Sequence, residues 1–181
     1  NLSHFAIMDI KGPDTERMLE HLSVAKVGGE TAEGKIIYTN FLDEDGGVHA
    51  DLTIARLGPD SYRVITGGAD GNRDWVTLRN YRDDMGLDAE INIRTHDIST
   101  LGLWGPQAKE ALGHFVDPSE ISIENFPFVT TKNLTLNLSG GKKVDVWAAR
   151  ISYVGESGWE LYLNNDSEEG LALYDSLLEV G

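Results

Sequence analysis

Two stretches of this chain gather residue types able to do chemistry. From Arg150 to Tyr162 it reads Arg-Ile-Ser-Tyr-Val-Gly-Glu-Ser-Gly-Trp-Glu-Leu-Tyr. This predicts strand, tight turn, strand: Ile151 and Tyr153 alternate into a run broken by Gly155 and Gly158, and Trp159, Leu161 and Leu163 alternate out of it. Glycines at those places let the backbone take positive φ and approach a ligand closely. Tyr153, Glu156, Trp159, Glu160 and Tyr162 crowd the turn. A flat aromatic beside a carboxylate suits a flat heterocycle with an amino-amidine edge, because a carboxylate accepts two parallel N–H bonds. The same run also reads as an ordinary hairpin with a buried Trp and two solvated glutamates.

The second stretch is Val48 to Leu57. Val48, Ala50, Leu52 and Ile54 form an apolar face, so alternation sends His49, Asp51 and Thr53 to the other. Asp51, following Gly46-Gly47, faces either a cleft, where it would be a catalytic carboxylate, or solvent, as charged residues on open sheet faces commonly do.

Composition narrows the chemistry. With no cysteine among 181 residues, disulfides, thiolate metal sites and thiol nucleophiles are excluded. The histidines show no His-x-x-x-His pairing, so no metal site is expected. A formal charge of −15 argues against nucleic acid or an anionic membrane surface as partner. No apolar run approaches the roughly 18 residues of a membrane span, and no signal-peptide core is present; a cytoplasmic location is the default. Gly155-Glu156-Ser157-Gly158-Trp159 lacks the last glycine of a nucleophile elbow. Arg56, Arg150 and Lys132 read as solvated bases, His21 and His114 as packing or capping residues, and Trp75, Trp104 and Trp147 as core.

The elements that position these residues come in two copies. Phe5–Ile10 predicts a strand, and Gly12-Pro13 opens a helix to Leu22 with Met18, Leu19 and Leu22 as its apolar stripe. Strands follow at Lys35–Phe41, Val48–Leu57 and Tyr62–Thr66, then a helix over 71–85 and a strand over 91–97. Gly105-Pro106 through Phe115 then echoes Gly12-Pro13 through Leu22, with Gly, Pro, Leu and His at matching places. The hairpin around Gly155 corresponds to the one around Gly58. This is an internal duplication, with repeats of about 1–97 and 98–181. The expected fold is α+β: duplicated strand–helix–hairpin units sharing a mixed β-sheet or pseudo-barrel, helices outside. A last helix, 167–180, would be capped by Ser167 and lined by Leu171, Tyr174, Leu177 and Leu178.

Tyr153-Val-Gly-Glu-Ser-Gly-Trp-Glu160-Leu-Tyr resembles the signature Tyr-Thr-Gly-Glu-x-Gly-x-Glu of the folate-dependent aminomethyltransferase family. That family includes the glycine cleavage T-protein and the folate-binding halves of dimethylglycine and sarcosine dehydrogenases. Gly46-Gly-Val-His-Ala-Asp51-Leu-Thr-Ile resembles its Gly-Gly-x-x-x-Asp-Leu-x-Val segment, in the right order. The resemblance implies that Tyr153 and Glu160 bind the pterin of tetrahydrofolate and that Asp51 is the catalytic carboxylate. It implies transfer of a one-carbon unit from a small-molecule amine donor, giving 5,10-methylene-tetrahydrofolate. It further implies one folate-binding domain, a fragment inactive alone that lacks a C-terminal barrel.

Departures refine this. Gly67 stands where T-proteins have a folate-contacting Asn, and Ala50-Asp51 where they have Asp-Asp. With Trp159, Tyr162 and Phe126-Pro127-Phe128, these are similar to the dehydrogenase-associated domains. A parent of that type would carry a flavin domain upstream; with no Gly-x-Gly-x-x-Gly, this chain has no flavin site of its own. The rivals are a folate-dependent demethylase and a non-catalytic, folate-sensing regulatory relative.

Overall fold

A computed structural model describes residues 1–29, 31–165 and 167–181; the expected Ser167 cap lies outside the described side chains. The chain divides into two compact units, one of His4–Thr95 and one of Asn1–Ser3 with His96–Gly181.

In the first unit β1 (Ala6–Lys11), α1 (Thr15–Leu22), β2 (Ile36–Leu42), β3 (Val48–Gly58), β4 (Ser61–Thr66), α2 (Gly71–Asp84) and β5 (Glu90–Ile93) follow in order. The strands form one sheet, β2-β3-β4-β1-β5. Period-two alternation turns Met8, Ile10, Leu52, Ile54, Tyr62 and Val64 to one face, where Met18 and Leu19 of α1 and Leu78 of α2 close a core. The opposite face carries Asp9, Tyr38, Asp51 and Arg63.

The second unit has β6 (Ile98–Trp104), α3 (Ala108–Gly113), β7 (Thr130–Asn137), β8 (Lys143–Arg150), β9 (Gly158–Asn164) and α4 (Ser167–Val180). Its sheet runs β6-β9-β8-β7. Leu101, Leu134, Val146, Trp159, Leu161 and Leu163 face Leu112 of α3 and Leu173 of α4.

The duplication is visible in topology: β1-β4-β3-β2 and β6-β9-β8-β7 are the same order. The Gly12 N–H bonds the Asp60 carbonyl at 3.0 Å, and the Gly105 N–H bonds that of Ser157 at 3.0 Å. Arg56 lies 5.6 Å from the Tyr62 ring centre and Arg150 5.1 Å from that of Trp159. These anchors equate Trp159 with Tyr62, Glu160 with Arg63, and Gly102 with Asp9.

The α+β class is as expected, and the pairing within it is more segregated than the sequence suggests. Every strand pairing is antiparallel, and each repeat completes its own sheet. Connections of two to seven residues join β2-β3-β4 and β7-β8-β9 as meanders, and the first strand of each repeat fills the free edge of the last. Parallel pairing would need longer crossovers.

Three local expectations are corrected. Residues 151–157 are a loop between β8 and β9, so Ile151 and Tyr153 are not strand residues. Val48 is 68% exposed because the register slips between Phe41 and Leu42 at that end of the hairpin. On α4 the core-facing stripe is Leu173, Leu177 and Val180, while Leu171, Tyr174 and Leu178 are exposed; the helix is apolar on two sides, and the core takes only one.

Among the described residues, no helix is long and apolar enough to cross a membrane, and no group of acids and histidines is arranged to hold a metal ion.

Candidate functional site

Glu160 sits mid-strand in β9, on the face turned away from the helices. The register puts Thr100, Gly102 and Trp104 of β6, Gly158 and Tyr162 of β9, and Trp147 and Ala149 of β8 on that same face. Glu160 is 8% exposed. Its Oε2 accepts the Tyr162 hydroxyl at 2.5 Å, and Trp147 packs edge-on against the Tyr162 ring with centroids 5.0 Å apart. Burial pushes the Glu160 carboxyl above the ordinary carboxylate range, and the Tyr162 bond only partly counters it.

No cation answers this carboxylate among the described residues. Its cross-strand partners are Gly102 and Ala149. The equivalent place in the first sheet is closed by an ion pair: Arg63 Nε and Nη2 hold Asp9 Oδ1 and Oδ2 at 2.7 and 2.9 Å, and Arg94 Nη1 adds 3.3 Å. Close by on the second sheet, directly opposite Tyr162, the Thr100 hydroxyl is buried with no hydrogen-bond partner. A buried carboxylate and an orphaned hydroxyl on one face suit a ligand that brings its own N–H donors.

The two glycines of the 150–162 stretch do different things. Gly155 takes φ +82°, as a tight turn requires. Gly158 is needed for close approach: a Cβ there would lie 2.0 Å from the Leu103 carbonyl oxygen and 2.7 Å from the Trp104 Cα. Tyr153 is on the 151–157 loop, 79% exposed, and its hydroxyl has no hydrogen bond among the described residues. Trp159 is fully buried on the helix side, opposite to Glu160. The aromatics on the Glu160 face are Tyr162, Trp147 and Trp104, the last two half-buried instead of core.

In the first unit, Asp51 is exposed on the helix-free face, as alternation predicts. Its cross-strand partner is Asn40, and the Tyr38 hydroxyl donates to its Oδ2 at 2.7 Å. That bond is the main reason the Tyr38 phenol is held above its ordinary value. His49, two residues away near the start of β3, meets the Thr77 hydroxyl of α2 at 2.9 Å, so it reaches a helix where alternation would place it on the face with Asp51. Asp145 is the corresponding residue of the second sheet, where it accepts the Thr135 hydroxyl at 2.6 Å. A phenol at hand therefore distinguishes Asp51 from its repeat partner.

The three bases read as solvated are occupied internally. Arg150 is buried and its Nη1 donates to the Ile121, Ser122 and Phe126 carbonyls. Arg56 bonds the Thr31, Gly58 and Pro59 carbonyls, and Lys132 holds the Glu120 carbonyl at 3.1 Å. Burial of the Ile121 and Phe126 carbonyls, which a sequence does not display, recruits Arg150, whereas the Lys132 bond is exposed.

The model of the GCVT N-terminal domain family matches residues 1–181. This chain belongs to that family. Human mitochondrial dimethylglycine dehydrogenase is 34% identical over 184 residues, covering all of this chain and 20% of that protein. An aminomethyltransferase of Herpetosiphon aurantiacus is 29% identical, again over all of this chain and 46% of its own length. The crystal structure of glycine cleavage system aminomethyltransferase T from Bartonella henselae superposes with a TM-score of 0.78 at 20% identity, over 98% of this chain and 44% of that one. The chain thus spans a fifth to just under half of these family members.

The sequence reading names Tyr162 among the groups at the turn without pairing it with Glu160, although alternation from Glu160 puts it on the same face and Trp159 on the other. Trp104 reads as core from the sequence, because only the β6–β9 register sets it beside Gly158 and two residues along from the Gly102–Glu160 pair.

Proposed function

We propose that this domain binds tetrahydrofolate and takes part in one-carbon transfer from an amine donor, yielding 5,10-methylene-tetrahydrofolate. The observation that carries the reading is Glu160: a buried carboxylate, engaged by one phenol and opposed by a glycine, in a chain of this family. A pterin presents an amino-amidine edge whose paired N–H groups match the two oxygens of a carboxylate. Folate, when bound, supplies the nucleophilic nitrogen that takes up the one-carbon unit.

Glu160 would accept the pterin N–H groups, with Tyr162 holding its Oε2, and Tyr153 would be the further pterin contact. Charge-assisted bonds of this kind are worth about 1.5–3 kcal/mol each. Asp51 would be the catalytic carboxylate, stabilising positive charge on an iminium donor and accepting an N–H proton. The two repeats would act as one folate-binding domain. In a parent of the dehydrogenase type, flavin chemistry would belong to a separate domain. The identity to dimethylglycine dehydrogenase favours an N-methylated glycine as donor class.

The test compares Asp51→Ala and Glu160→Ala in the full-length protein. Asp51→Ala should cut kcat at least tenfold with little change in the Kd for 5-formyltetrahydrofolate, and Glu160→Ala should weaken that Kd. If both variants change binding alone, Asp51 has no catalytic role; if wild type binds no reduced folate, the reading is wrong.

A further inference from the structure

The second repeat differs from the first at three adjoining places, and the differences fit together. Where the first sheet has Asp9, Lys11 and Ser61, the second has Gly102, Trp104 and Gly158. Gly102 and Gly158 clear space that the Trp104 side chain fills. A Cβ on Gly102 would lie 2.3 Å from Trp104 Cζ3 and 2.5 Å from Cη2, so the benzo ring lies over the Gly102 backbone. A Cβ on Gly158 would lie 2.6 Å from Trp104 Cδ1. The indole Nε1–H donates to the Ile151 carbonyl at 2.9 Å, which ties the ring to the start of the 151–157 loop. Gly102 is the cross-strand partner of Glu160, so the benzo ring covers the strand position directly opposite the one that carries the buried carboxylate.

A tryptophan needed only for packing belongs on the helix side, where Trp159 is fully buried. Trp104 instead lies half-buried on the polar face, with its nitrogen satisfied and its ring seated on glycine.

We propose that Trp104 is a binding residue, the aromatic platform on which the planar ring held by Glu160 stacks. This rests on the reading that Glu160 takes an amino-amidine edge. A carboxylate fixes such a ring only by its edge, and a π surface beside it fixes the plane. The loop carrying Tyr153 starts at the carbonyl to which the indole is tied, so platform and loop are coupled through Ile151.

The test measures calorimetric Kd values of the full-length protein for two probes, 5-formyltetrahydrofolate and 6-methyltetrahydropterin, which lacks the benzoylglutamate tail. Variants are Trp104→Leu, Trp104→Phe and Glu160→Ala, with thermal melting as the fold control. Trp104→Leu should weaken both probes about tenfold, and Trp104→Phe should restore binding to within about threefold of wild type at matched melting temperature. Wild-type affinity in Trp104→Leu, equal loss in Leu and Phe, or loss for the tailed probe alone would overturn the platform role. The Glu160 reading would still stand if Glu160→Ala weakened both probes. No binding by wild type would overturn both.

Discussion

Glu160 stands opposite Gly102 at the position where the first sheet pairs Arg63 with Asp9. One duplicated sheet site has thus become a closed ion pair in one repeat and, in the other, a buried acid bonded by a phenol and paired with no cation among the described residues. The closed version rigidifies its sheet; the open version stores an electrostatic demand that a ligand can meet.

That demand has a pH signature. Burial raises the Glu160 carboxyl in the folded state, so the native protein keeps a proton the unfolded chain has released. Stability from this group is full below the ordinary carboxylate value and is lost as pH rises through the raised one. Urea unfolding of ligand-free protein in steps from about pH 4 to pH 8 should show a decline that Glu160→Gln removes. Parallel curves for the two proteins would mean that the carboxyl is not perturbed.

Tyr38 and Asp51 make a second pair that can be read directly. The Asp51 carboxylate holds the Tyr38 phenol above its ordinary value through a 2.7 Å bond. Asp51→Asn should bring the Tyr38 phenol back toward that value in a spectrophotometric titration, with Tyr38→Phe identifying the signal. An unmoved Tyr38 titration would show that the bond does not persist in solution.

The glycines around the 151–157 loop should differ in cost. Gly158→Ala drives a methyl into the Leu103 carbonyl and the Trp104 backbone, forcing β6 from β9, for about 3 kcal/mol or more. Gly155→Ala meets open space and loses only its ease at φ +82°, about 1–2 kcal/mol. Chemical denaturation of both variants checks the order.

Arg150 and Lys132 separate structural from incidental bases. Arg150→Met strips the donor from the Ile121, Ser122 and Phe126 carbonyls and should cost about 3–5 kcal/mol. Lys132→Ala loses two exposed or partly exposed contacts with Glu120, to its carbonyl and its carboxylate, and should fall within about 0.5 kcal/mol of wild type. Similar melting temperatures for the two variants would contradict the burial argument.

Much of the architecture was legible because its causes are local. Gly12-Pro13 and Gly105-Pro106 announce the helices, and period-two alternation sets Asp51 on the helix-free face; both follow from backbone geometry within a few residues. Element bounds in the first repeat came within a few residues; in the second, β7 and β8 carried no expectation of their own, and Ile151 and Tyr153, alternating like a strand, lie in a loop past the last paired residue of β8.

The sequence by itself determined the α+β class and the duplication, because both are written in spacing along the chain, and its two motifs resemble those of the family to which it belongs. Tertiary structure alone decided that each repeat closes its own antiparallel sheet. It also decided that Gly102 faces Glu160, that Trp104 fills the space two glycines leave, and that Arg150 is spent on buried carbonyls. These are cross-strand and cross-loop relationships. They depend on register between segments far apart in sequence, and a one-residue slip would reverse every face.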